Sequence, residues 1–169
     1  MYDTCPFKCT IISQNVNGLG GRNDDKLEKT ISLMIDRNID VYCLQETWKL
    51  CEYMLTIRGY TAFHHRMEEN PQQQGRISAG MMIILSPYLT RAWTRAGKLK
   101  PITSPPTSEF PGRTIRITLR FTNKSNRLTD TYHRKAKGNI KIFLCSIYHP
   151  HEINEQKEFL DELDQFITN

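Results

Sequence analysis

The sequence predicts an α/β protein with a mixed β-sheet and flanking helices. Three observations predict it. An apolar segment, an amphipathic helix and a second apolar segment follow one another within residues 8–44. Within residues 113–121, polar and apolar residues alternate strictly from Thr114 on, and a second strand-like run follows at 139–147. A last segment with helical period lies near 153–167. Strand–helix–strand units give parallel pairing and strands joined by a hairpin give antiparallel pairing, so one chain carries both.

The elements follow in order. Residues 8–16 read as a first strand running into Asn17-Gly18-Leu19-Gly20-Gly21, a turn or loop by its glycines. Residues 24–38 have helical period, with Leu27, Ile31, Met34 and Ile35 on one stripe. Asn23 or Asp24 is placed to cap this helix, and Asp24, Asp25 and Glu28 suit its positive end. Val41-Tyr42-Cys43-Leu44 is a continuous apolar run. Directly after an amphipathic helix, such a run predicts a parallel strand buried on both faces, reached by a right-handed crossover. Asn15 and Glu46 then stand at the carboxyl ends of two neighbouring strands, where α/β sheets place their ligand crevice.

Residues 49–57 are expected to form a short helix, and 60–64 and 77–85 to form strands around the polar loop 68–75. Residues 98–112 contain Pro101, Pro105, Pro106 and Pro111 and are expected to lack regular structure. In 113–121, Ile115, Ile117, Leu119 and Phe121 share one face and Arg116, Thr118 and Arg120 the other, the pattern of a half-buried antiparallel strand with 139–147 as its partner. Between them, 122–138 reads as an exposed basic hairpin loop carrying Lys124, Arg127, Arg134, Lys135 and Lys137. The final helix turns Phe159, Leu160, Leu163, Phe166 and Ile167 to one side.

Bulk composition narrows the class. The 169 residues fit one domain, and 38% hydrophobic content supports a packed core rather than a disordered chain. No apolar run approaches the ~20 residues of a membrane span, and residues 1–9 lack the basic start and apolar stretch of a signal peptide. An intracellular location, nuclear or cytoplasmic, is expected. The five cysteines (Cys5, Cys9, Cys43, Cys51 and Cys145) are odd in number and form no disulfide framework. Cys43 and Cys145 lie in apolar runs and read as buried hydrophobes. Cys5 and Cys9 have no second Cys/His pair at zinc spacing. Net charge is +5, yet residues 1–151 alone carry 22 bases and 12 acids, a net of +10. A basic body favours an anionic partner such as a nucleic-acid backbone, and also serves plain solubility.

By chemistry alone, a glutamate at a strand end suits Mg²⁺, which takes oxygen ligands and keeps several waters. An amide beside it, as at Asn15, can orient a carboxylate or donate to a phosphate oxygen. Equally, Glu46 suits a helix N-terminus and Asn15 a turn.

Four stretches then carry a resemblance. Ile12-Ser13-Gln14-Asn15-Val16-Asn17-Gly18-Leu19 resembles the first motif of the endonuclease/exonuclease/phosphatase superfamily, the deoxyribonuclease I-like proteins. Asp40-Val41-Tyr42-Cys43-Leu44-Gln45-Glu46-Thr47 resembles the second, in which a strand runs into Gln-Glu and the Glu binds the metal. Ser78-Ala79-Gly80-Met81-Met82-Ile83-Ile84-Leu85 looks like the Gly-led apolar strand. Cys145-Ser146-Ile147-Tyr148-His149-Pro150 looks like the strand ending in Tyr-x-Pro. With Asn at 17, the first motif is most similar to the endonuclease domains of non-LTR retrotransposons.

The resemblance implies the first half of a four-layer α/β sandwich, two sheets packed face to face between helices, spanning residues 1–169. It implies Mg²⁺ or Mn²⁺ as cofactor with Glu46 as ligand. Asn15 would position the metal-site carboxylates or the phosphate, and Tyr148 would contact the scissile phosphate. Asn17 is either a contact to the bound strand or a turn former before Gly18. The implied activity is hydrolysis of nucleic acid, DNA rather than RNA. Two alternatives stay open: a non-catalytic nucleic-acid-binding remnant using the basic loop, and a phosphoinositide or other small-phosphoester hydrolase.

The 169 residues contain neither the family's Gly-Asp-x-Asn nor its Ser-Asp-His. The acids after Tyr148 (Glu152, Glu155, Glu158, Asp161, Glu162 and Asp164) follow helical spacing as a solvated face. His149 and His151 read as loop residues and His64-His65 as a strand-end pair without chemistry. A weakly active or inactive fragment is therefore expected. A lone half would expose the inner face of its sheet, so a missing second half or self-association is also expected.

Overall fold

The computed structural model describes residues 9–19, 25–47, 53–65, 80–103, 113–122, 139–148 and 153–168. In chain order the elements are β1 (Ile11–Asn15), α1 (Asp25–Arg37), β2 (Val41–Gln45), β3 (Tyr53–Ile57), β4 (Tyr60–His65), β5 (Met81–Leu85), α2 (Pro87–Arg95), β6 (Ile102–Thr103), β7 (Thr114–Thr122), β8 (Asn139–Ile147) and α3 (Ile153–Thr168). The polar loop 68–75, the cap residues Asn23 and Asp24, His149 and His151, and the loop residues Lys124, Arg127, Arg134, Lys135 and Lys137 lie outside the described residues.

The strands form a five-stranded sheet in the order β1-β2-β5-β4-β3 and a three-stranded sheet in the order β6-β7-β8. β1 and β2 run parallel, Ile11 opposite Val41 through Asn15 opposite Gln45. The other pairs in that sheet are antiparallel. The mixed sheet with flanking helices is therefore as the sequence predicts, and it sets the exits of β1 and β2 side by side at one sheet end.

β2 is buried at every position, which explains its uninterrupted apolar run. On one face Tyr42 and Leu44 pack with Ala62, Met82 and Ile84 under the α1 residues Leu27, Ile31 and Met34. On the other, Val41 and Cys43 join Phe63, Met81, Ile83 and Leu85. That second face is covered from within the chain, by Leu89, Ala92 and Trp93 of α2 and by Ile115, Ile117 and Leu119 of β7. The expected exposure of the inner face does not occur among these residues: Ile83 and Leu85 are 0% exposed and Phe63 2%. The second sheet supplies the cover that a single sheet would lack.

Four further expectations need correction. Residues 53–57 are strand, not helix: Tyr53 lies opposite His64 and Ile57 opposite Tyr60. Arg58 (φ 51°) and Gly59 (φ 81°) both take left-handed backbone, the requirement of a two-residue hairpin turn that matches strand twist. Leu55 and Ile57 face the α1 side of the sheet while Met54 stays exposed, so the true period is two. Second, β7 is buried on both faces from Thr114 to Thr118, not half-buried. Arg116 on its outer row stacks over Phe143 and Phe166 at 5.2 and 5.3 Å, and its Nη1 donates to the Phe166 carbonyl of α3 at 2.9 Å. Third, Ile35 is exposed, because it lies about 80° round the helix from Leu27, at the edge of the stripe. Fourth, within the proline-rich 98–112, Ile102 and Thr103 do form a short strand, paired with Arg116 and Ile115.

α2 had no counterpart in the sequence reading. Its cue is local: Ser86 caps the helix, Pro87 occupies its first turn, and Leu89, Ala92 and Trp93 lie at helical spacing. In α3, Phe159 is buried and Leu163 and Phe166 are half-buried, whereas Leu160 is exposed. The thiols of Cys9, Cys43 and Cys145 are free; Cys43 is buried, but Cys145 only half so. Among the described residues no helix is long and apolar enough to cross a membrane.

Candidate active site

Two strand ends and one strand from the smaller sheet build the site. Past the end of β2, Glu46 adopts a left-handed φ of 54°. A side-chain-bearing residue other than Asn or Asp takes this conformation at a cost, so the surrounding structure must hold it. The holding contacts are backbone ones. Val16 N–H donates to Gln45 O at 3.0 Å, Gly18 N–H to Glu46 O at 2.7 Å and Leu19 N–H to Thr47 O at 2.9 Å. The exit of β1 thus continues as a ladder beside the exit of β2. Thr47 N–H donates to Gly80 O at 3.2 Å on the other side, and Thr47 Oγ1 lies 2.8 Å from Nε2 of the buried His64.

Tyr148 reaches the same point from the end of β8. Its Oη donates to Glu46 Oε1 at 2.5 Å. Its backbone N–H donates to Arg113 O at 2.8 Å, and the Arg113 guanidinium stands 5.3 Å from its ring centroid. The Tyr148 hydroxyl is pushed up to about 12, first by burial, then by its hydrogen bond to Glu46 and the charge of that carboxylate; Arg113 opposes the shift. Near neutral pH the phenol is therefore a donor, and it fixes one carboxylate oxygen.

Asn15 and Asn17 stand apart from this pair as a turn. Asn15 Oδ1 accepts the Asn17 N–H at 3.0 Å, and Asn17 (φ 47°) precedes Gly18 (φ 93°). This geometry is a turn at Asn17. Both asparagines line an open recess of about 380 Å³ that also takes in Lys26 and Lys29 of α1. Lys26 Nζ donates to Gly18 O at 2.8 Å, which ties the helix to the turn.

Of the predicted site residues, the structure brings Glu46 and Tyr148 into contact, and sets Asn15 at the end of β1 and Asn17 in the turn just beyond it. The sequence reading missed Arg113. It stands just before β7 and its Nη1 is buried without a hydrogen-bond partner among the described residues. Only the register that places it beside Tyr148 distinguishes it from other strand-entry arginines. His64, near the end of β4, is a buried hydrogen-bonding partner of Thr47.

Glu46 suits a hard cation by ligand type. Among the described residues no group of three or more His, Cys, Asp or Glu side chains forms a metal cage. Glu46 alone fits an ion that keeps most of its waters and draws further ligands from a substrate phosphate.

No protein-family model matches the chain, and no curated protein sequence matches it.

Proposed function

We propose that this chain supplies the metal- and phosphate-binding half of a phosphodiesterase site of the endonuclease/exonuclease/phosphatase type, acting on nucleic acid. One observation carries the reading. Glu46 and Tyr148 come from two different motifs, and they share a hydrogen bond. The order of layers supports it: α1, the five-stranded sheet, the three-stranded sheet and α3 follow as in a four-layer sandwich.

Glu46 would hold Mg²⁺ or Mn²⁺, which when bound polarises a phosphodiester and lowers the pKa of its water. Tyr148 keeps Glu46 oriented with its one hydroxyl hydrogen, and would contact a phosphate oxygen as donor only by releasing Glu46 to the metal. Arg113 brings a guanidinium nitrogen with no partner among the described residues, a fit for an anionic oxygen. Lys26 and Lys29 beside Asn15 and Asn17 add positive charge where a nucleic-acid strand would run on. No general base stands among these residues, and such a group contributes roughly 10²–10⁴-fold. With these residues alone, hydrolysis would be slow.

Calorimetric titration with Mn²⁺, beside nicking of supercoiled plasmid, tests this on the wild type and Glu46→Gln. We expect weak Mn²⁺ binding that Glu46→Gln removes without loss of folding, and nicking near background in both. Unchanged Mn²⁺ affinity in the variant would overturn the reading. Nicking by the wild type that Glu46→Gln abolishes would keep the nuclease assignment and refute the slow rate. The Lys26 and Lys29 recess also fits binding without catalysis, which would show as DNA affinity that falls steeply with salt and ignores Mg²⁺.

A further inference from the structure

We infer that the cavity between β4 and β6 binds an acyl chain bearing an anionic head group. The cavity measures about 710 Å³, within the roughly 300–1,000 Å³ typical of small-molecule sites. Its floor is Phe63, Trp93 and Ile115, none more than 5% exposed. Phe63 and Trp93 meet edge to face with centroids 4.9 Å apart. From this floor the apolar lining runs outward to Met54 and Ile102, which are 58% and 46% exposed. Core and solvent are joined by one apolar path, and an occupant covering it would remove that surface from water.

The rim is cationic. Lys98 and Lys100 line the cavity, and no acidic residue is among its described lining residues. The segment carrying them is anchored. Trp93 Nε1 donates to Leu99 O at 2.9 Å and Lys98 N–H to Trp93 O at 3.2 Å. Gly97 (φ 88°) and Lys98 (φ 53°) are both left-handed, so the chain turns sharply off α2. For lysine this backbone carries a steric cost, and here it sets the two ammonium-bearing residues at an apolar opening.

Charge and shape together select the ligand. An apolar body satisfies the floor, and an anion satisfies two ammonium groups. Trp93 is too buried to offer a stacking face, so a flexible aliphatic chain fits better than a planar ring. A carboxylate and a phosphate head meet the same lysines. The site includes His64 but not Glu46, so it does not depend on the phosphodiesterase reading.

The test titrates the full chain with laurate, dodecyl phosphate and dodecanol below their aggregation limits, by calorimetry and by the Trp93 indole N–H signal in ¹H–¹⁵N spectra. The two anions are expected to bind and to shift that signal, with dodecanol about tenfold weaker or worse. Lys98→Glu/Lys100→Glu is expected to cost both anions about tenfold while leaving dodecanol unchanged. Tighter binding of laurate points to a free fatty acid, and of dodecyl phosphate to a phosphate-headed lipid. Absence of binding, or dodecanol binding as tightly as laurate, overturns the proposal on the wild-type protein alone. So does a folded double variant that binds laurate unchanged.

Discussion

Tyr148 Oη donates to Glu46 Oε1 at 2.5 Å across 102 residues of sequence. The contact bridges the end of β8 in the smaller sheet and the end of β2 in the larger one. It therefore reports on sheet-to-sheet packing as well as on the site. Hydrogen bonds to a charged partner contribute about 1.5–3 kcal/mol, less where water reaches them. Tyr148→Phe is expected to lower unfolding free energy by about 1 kcal/mol. In a urea-denaturation double-mutant cycle with Glu46→Gln, the two changes should fall short of additivity. Simple additivity would mean that the two side chains do not interact in solution.

The pH dependence has a definite sign. The folded pKa of Tyr148 is raised to about 12, above the ordinary tyrosine value of 10. Its contribution to stability is fully present below pH 10 and is lost as pH rises through about 12. Phenolate absorbance near 295 nm should thus show one tyrosine titrating last in the wild type, and that step should vanish in Tyr148→Phe. In Glu46→Gln the same step should move down, since the carboxylate's charge is gone. A tyrosine titration without a late step would remove the contact.

Packing predicts a contrast between two large apolar residues. Ile83 is 0% exposed between β7 and its own sheet, while Leu160 on α3 is 52% exposed. Ile83→Ala is expected to cost about 2–5 kcal/mol, with cavity and transfer terms both acting. Leu160→Ala should stay near 0.5 kcal/mol, as surface changes do. Chemical denaturation of both variants checks this; equal costs would place α3 or β5 wrongly.

Much of this molecule could be read from its residues, element by element. The apolar run Val41–Leu44 became a strand buried on both faces, and the alternation through Ile115, Ile117 and Leu119 became β7, paired with 139–147. These features are local: side chains alternate across a strand and recur every 3.6 residues on a helix, so one window of sequence reports them. The helix expected over 49–57 fails over its described part, 53–57, because so short a segment fits either period, and the Arg58-Gly59 turn that decides the matter needs its left-handed backbone to be seen. Tertiary structure alone decided the rest. It put Arg113 beside Tyr148, turned Glu46 into the left-handed region, covered the Arg116 face of β7 with α3, and closed the inner face of the large sheet with the small one. Each of these depends on which distant segments share a register or a face, and sequence spacing holds no record of that distance.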